Sequence, residues 1–327
     1  MKAPFYIYLL LSIAIVLIYT RCERDIDIDV PQPETMLVVE GTIETGSVPF
    51  VIITRSSAYF SESSSNDLYN FVHDAEVTVI AGQDSIPLME ICSSEIPDEF
   101  LPILSQFIGV VLSPESGFDF CIYTDPNILL NPEDALLGEN GKSYRLFIQA
   151  EGKTLTSKTS IPKVVPLDSA WFEVEGNLDS LGFAWALFTD PDTSGNAYRW
   201  YAQRINSYPD GTQKDPVFIA PFASAVDDRF FNGLTFEFVS ARGSLPFSNK
   251  EDDENEEVGF FKVGDTIAVK ACSIDYPTYL FVSSFYSEIG NQGSPFANPA
   301  SLKSNVDGGL GVWAGYGVFR DTIIATR

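Results

Sequence analysis

A chain of 327 residues with 20 basic and 45 acidic side chains carries a formal charge of −25. It lacks the basic footprint that nucleic-acid binding needs, and an anionic bilayer surface repels it. An apolar content of 45% is that of a globular core, 13% aromatic content favours strands, and the lone histidine, His73, excludes any site needing two imidazoles from one chain.

Residues 1–21 read as a secretory signal. Lys2 precedes an apolar run from Phe5 to Tyr19, broken only by Ser12. The run is shorter than the roughly 20 residues a membrane-spanning helix needs. Cys22 follows it directly, which is the position of a bacterial lipoprotein's lipidated cysteine, although Arg21 stands where a small residue is usual. Residues 22–34 are polar and stiffened by Pro31 and Pro33, and read as a tether.

Strand signals follow at Met36–Ile43, Phe50–Ser56, Ala75–Ile80, Asp84–Ile91, Tyr144–Ala150 and Thr154–Ile161, the last two joined by a hairpin at Glu151-Gly152-Lys153. Between Cys92 and Asn140 the alternation breaks. This stretch, 92–140, reads as an insertion with short helices at Asp98–Phe107 and Asn131–Leu137. Cys92 and Cys121 flank much of it and are candidates for a disulfide, since an exported chain meets an oxidising compartment.

After the linker Ile161–Pro166 come strands at Ala170–Val174, Phe183–Phe188, Tyr198–Arg204, Leu234–Val239, Gly259–Val263, Thr266–Ile274 and Val318–Ala325. One helix is predicted at Asp275–Ile289, with Asp275 as cap, Pro277 in the first turn and Gly290 as stop. The length fits about two domains. The expectation is therefore a mainly all-β protein of two sandwiches, residues 35–165 and 166–327.

Several groups are candidates for chemistry. Glu251, Asp252, Asp253, Glu254, Glu256 and Glu257 form an acidic stretch that could hold Ca²⁺ or a cationic partner, and reads equally as a solvated loop. Asp190, Asp192 and Ser194 match the first half of an EF-hand loop, but the twelfth position is Tyr201, which cannot supply the bidentate carboxylate. Gly309, Gly311 and Ala314 match a dinucleotide fingerprint without room for the βαβ unit it requires. His73 beside Asp74 could serve a nucleophile, but no nucleophile motif accompanies it. Trp171, Trp185, Trp200 and Trp313 could form a stacking platform for sugars if exposed. No cofactor is expected.

Leu37–Ile43, Thr54-Arg55-Ser56 and Ala75–Val79 resemble the start of a lipoprotein family common in Bacteroidota, domain of unknown function 4249. The closing stretch carries the more specific likeness: Pro295, Phe296, Asn305, Gly308, Gly309, Gly311, Gly315 and Tyr316. The resemblance implies β-sandwich domains of an immunoglobulin-like or prealbumin-like kind. It also implies a lipid-anchored place at the outer membrane and a TonB-dependent, SusC-like transporter as neighbour. It supplies no catalytic residue. The expected function is a non-enzymatic accessory or ligand-capture protein. The alternatives are a surface glycan hydrolase using two carboxylates and a structural or adhesive surface protein.

Overall fold

A computed structural model of the chain describes residues 34–56, 70–113, 119–244, 257–291 and 302–327. The expected signal segment, Cys22, the tether up to residue 33, Glu251–Glu256, Pro295 and Phe296 lie outside the described residues.

Sixteen strands are described: β1 (Leu37–Glu44), β2 (Phe50–Arg55), β3 (Glu76–Ala81), β4 (Asp84–Cys92), β5 (Cys121–Thr124), β6 (Ser143–Ala150), β7 (Lys153–Ser160), β8 (Ser169–Val174), β9 (Leu181–Thr189), β10 (Ala197–Arg204), β11 (Ala225–Asp227), β12 (Thr235–Ser240), β13 (Phe261–Lys262), β14 (Thr266–Ile274), β15 (Val306–Asp307) and β16 (Leu310–Ile324). Helices α1 (Leu101–Ile108) and α2 (Asn127–Leu130) sit in the 92–140 stretch, and α3 (Tyr276–Asn291) follows β14. The protein is mostly β, as its alternating pattern predicts, with few helices.

One mixed sheet runs in the order β11-β10-β14-β16-β1-β2-β5-β4-β3-β6-β7-β15. A smaller antiparallel sheet has the order β12-β9-β13, with β8 also on β9. The large sheet curls until β7 lies across β16, because glycine removes the side chain where the two backbones meet. A Cβ on Gly315 would stand 2.4 Å from the Ser160 carbonyl oxygen. Inside the curl lies the first core, to which β1 contributes Leu37, Val39 and Ile43, β6 Leu146 and Ile148, and β16 Trp313. The Trp313 indole donates to the Tyr144 carbonyl at 3.2 Å, so its buried N–H is satisfied.

β16 spans both halves of the molecule. Its first half pairs with β1 in parallel, Val39 opposite Gly311, and its second half pairs with β14 antiparallel. That second half, with β14 and β10, packs against the small sheet through Phe319, Ile267, Val269, Ala186 and Phe188.

The hairpin at Glu151 and Gly152 is a two-residue turn. Its residues have φ of 51° and 73°, the positive pair that matches strand twist. In the 92–140 stretch the structure differs in detail from the sequence pattern. A 3₁₀ turn at Asp98–Phe100 precedes α1, and the second helical segment is α2 followed by a 3₁₀ turn at Pro132–Asp134, because Pro132 cannot continue the helix. Asp275 does cap α3, accepting from the Thr278 backbone N–H at 3.1 Å. Gly290 does not stop that helix, which runs through it to residue 291.

Candidate functional site

Alternation on four neighbouring strands sends one set of side chains into the cores and the other set to a common outer face. On β1 the outward set is Glu40, Thr42 and Glu44; on β10 it includes Arg199 and Tyr201; β14 adds Lys270 and β16 Tyr316. The ladder places Tyr201 directly opposite Lys270 and Tyr316 opposite Glu44. Three segments roof this face: the end of α1 at Gln106–Gly109, the stretch 217–222, and α3 through Phe285, Tyr286 and Ile289. The cleft between floor and roof has a volume of about 940 Å³. That is the scale of a pocket for a small organic ligand.

Its floor is charged and its roof is aromatic. Lys270 is buried and donates to Glu44 Oε1 at 2.5 Å, while Arg320 stands 3.5 Å from the other Glu44 oxygen. The Lys270 ammonium also sits 5.0 Å from the centre of the Tyr201 ring, and the Arg199 guanidinium lies over the same ring at 4.9 Å. Arg199 Nη1 donates to the Tyr316 hydroxyl at 3.1 Å and Nε to Ser224 Oγ at 3.4 Å. Desolvation raises the Glu40 carboxyl pKa, and the Arg199 charge only partly offsets it. Burial likewise pushes the Tyr201 phenol well above its usual value, so it remains a neutral hydrogen-bonding group.

The residues singled out in the sequence fall elsewhere. Cys92 and Cys121 are disulfide-bonded across the β4–β5 pair. His73 turns away from Asp74 and meets Glu90 instead, Nδ1 to Oε1 at 2.6 Å. His73, Glu90, Cys92 and Cys121 are close enough for metal binding, but the disulfide removes the two thiolates such a site would use. Asp190 is buried, and its two carboxylate oxygens accept from the Tyr198 hydroxyl and the Gly233 N–H. Asp192 and Ser194 are exposed in the following turn. Glu257, the described end of the acidic stretch, pairs with Lys262 at 2.5 Å. The four tryptophans do not converge: Trp171 stacks on Trp185, Trp200 packs on Phe238, and Trp313 fills the first core.

The closing motif is largely architectural. Gly308 and Gly309 make the turn from β15 into β16, and Gly311 and Gly315 allow close strand contacts. Asn305 brackets Trp313, accepting from its N–H at 2.9 Å and donating to its C=O at 2.8 Å. Tyr316 alone of this group reaches the cavity. A second depression of about 560 Å³ lies on the 92–140 stretch, with exposed Phe100, Ile103 and Leu129.

A mostly β chain with a cleft between strands and helix is the class this geometry defines. The sequence model of one family, Domain of unknown function (DUF4249), matches residues 23–322, and the chain belongs to that family. No curated protein and no solved structure matches it.

Glu40, Arg199, Tyr201 and Lys270 are absent from the sequence-based candidates. A signal for them existed. Lys270 is a lone charge inside an apolar strand, and Glu40, Thr42 and Glu44 alternate with Val39, Gly41 and Ile43. What the pattern cannot supply is that β10, β14, β16 and β1 stand side by side.

Proposed function

We propose that this chain is a lipid-anchored protein of the outer membrane, held through Cys22 and facing the cell surface. It captures a small ligand in the sheet-and-helix cavity without chemically altering it. It then hands the ligand to a TonB-dependent, SusC-like transporter. The signal-like residues 1–21, the cysteine that follows and the family membership support the location. One observation carries the capture role: a cavity of about 940 Å³ whose charged floor and aromatic roof come from strands and a helix already fixed by two cores.

The same cavity favours binding over glycan hydrolysis. Among the described residues its acids are Glu40 and Glu44, four residues apart on one strand, so their backbones are about 13 Å apart. Glycosidase carboxyl groups work at roughly 5–9.5 Å. Glu44 is moreover engaged by Lys270 and Arg320.

Affinity purification of the full chain from native membranes tests the partnership, and recovery of a TonB-dependent transporter above background is expected. Labelling of cells with a radioactive fatty acid tests the anchor. Label on the wild-type chain and none on Cys22→Ser is expected, and equal label on both removes the anchor from the proposal.

A further inference from the structure

We infer that the ligand of this cavity is an organic anion, a carboxylate, sulfonate or phosphate on an apolar or ring-bearing body, with its anionic group seated on Arg199. The inference rests on the capture reading of the same cavity and adds the ligand's chemical class.

Three other enclosed cations of this protein are each matched to a carboxylate. Arg204 is matched to Asp215 at 2.8 Å, Lys214 to Asp265 at 2.5 Å and Lys270 to Glu44 at 2.5 Å. A carboxylate offsets the desolvation cost in each case. Arg199 is built differently. Its contacts are three hydroxyls, Tyr316, Ser224 and Tyr286, and the face of Tyr201. Among the described residues no carboxylate lies within ion-pair distance of it. Hydroxyls orient a guanidinium but do not neutralise it, so the planar fork keeps its charge for something that enters the cavity.

The surroundings fit an incoming anion. Glu44 is engaged by Lys270 and Arg320, so its charge is already answered. Glu40 shares the cavity with Arg199, and its desolvated carboxyl takes up a proton more readily than a carboxyl in water, which lowers its repulsion of an anion. The apolar body of the ligand has its own wall: Phe218, Phe222, Phe285 and Ile289 line the roof opposite the charged floor. A charged group at one end and an apolar body at the other match a cavity whose two walls differ in the same way.

A matched pair of fluorescent dyes tests this on the full chain. The probes are 8-anilinonaphthalene-1-sulfonate and N-phenyl-1-naphthylamine, which share an aromatic body and differ in the sulfonate. The variants are Arg199→Gln, Arg199→Lys, the cavity-filling Ala220→Trp, and Ile103→Asp in the open apolar depression, each checked for an unchanged melting temperature. Arg199→Gln is expected to weaken the anionic dye about tenfold or more, the worth of one charge-assisted contact, and to leave the neutral dye within about twofold. Ala220→Trp should weaken both dyes, and Arg199→Lys should fall between wild type and Arg199→Gln for the anionic dye. If Ala220→Trp blocks both dyes and neither responds to Arg199→Gln, the anion is overturned while capture stands. If neither dye responds to Ala220→Trp, or both respond only to Ile103→Asp, both readings fall. Should Arg199→Gln unfold, Arg199→Lys decides alone, and equal affinity of the anionic dye for it and for wild type overturns the anion.

Discussion

Gly311 sits where β1 and β16 run in parallel, opposite Val39, at φ 110°. An alanine Cβ there would stand 1.8 Å from the Val39 carbonyl oxygen. An ordinary C···O contact is about 3.3 Å, so the two strands must part by roughly 1.5 Å. That stretches the neighbouring ladder hydrogen bonds beyond their range, and each is worth about 1 kcal/mol net. The positive φ adds about 1 kcal/mol or more for any residue with a Cβ. Together Gly311→Ala should cost about 3–5 kcal/mol, a large share of a stability of order 5–15 kcal/mol. Gly46→Ala is the control, since Gly46 also has positive φ (72°) but nothing lies within 4 Å of its added Cβ. It should cost only about 1 kcal/mol. Urea unfolding followed by tryptophan fluorescence measures both, with the enclosed Trp313 as reporter. Because β16 carries Tyr316, which orients Arg199, Gly311→Ala should weaken anionic-dye binding as well. Equal destabilisation by the two alanines would refute the close-approach reasoning.

Three further outcomes follow from the same geometry. Asp215→Ala should cost about 3–5 kcal/mol in urea unfolding, because it strips the bidentate partner from buried Arg204, and the apolar double variant Arg204→Met/Asp215→Leu should recover most of that loss. Opening the Cys92–Cys121 bridge, which closes a separation of 29 residues, should lower stability by about 3–4 kcal/mol on chain-entropy grounds, measured as the shift in urea midpoint between oxidised protein and the double Ser variant. Anionic-dye affinity should rise as pH falls through the raised Glu40 pKa, with Glu44, Arg199, Lys270, Gln106, Arg242 and the phenols of Tyr201, Tyr286 and Tyr316 facing the same space. The sign for stability agrees: a carboxyl with its folded pKa above its unfolded value stabilises below the unfolded value, and that contribution fades as pH rises through the folded one. Glu40→Gln should flatten both profiles in a titration from acid to neutral pH.

Strands of six or more residues were legible because their alternation is long enough to show a period. β5, β11 and β15 have four, three and two residues, and no periodicity exists at that length. The first half of β16 was hidden for a different reason. Its glycines lower strand propensity and mimic a nucleotide fingerprint, yet they are there because β1 and β7 press against that strand. The parallel pairing of residue 38 with residue 310 leaves no local trace in either segment. The cavity shares this limit. Lys270 and the Glu40–Glu44 alternation are visible one strand at a time, whereas Arg199 becomes notable only when its missing carboxylate is set beside the paired cations elsewhere.

The pairing of β1 with β16 has a consequence for how the protein comes into being. Trp313, with Val306, plugs a core otherwise assembled from residues 37–161, and both are made long after that stretch. Until then β1 presents an unmatched edge and the curled sheet lacks its closing member, so contacts of very long sequence separation must form before the first half is rewarded. Closure of this core is thus gated by β16 and cannot precede its synthesis. A ribosome that stalls before residue 313 releases a chain with an open core, which is the kind of species that quality-control proteases remove.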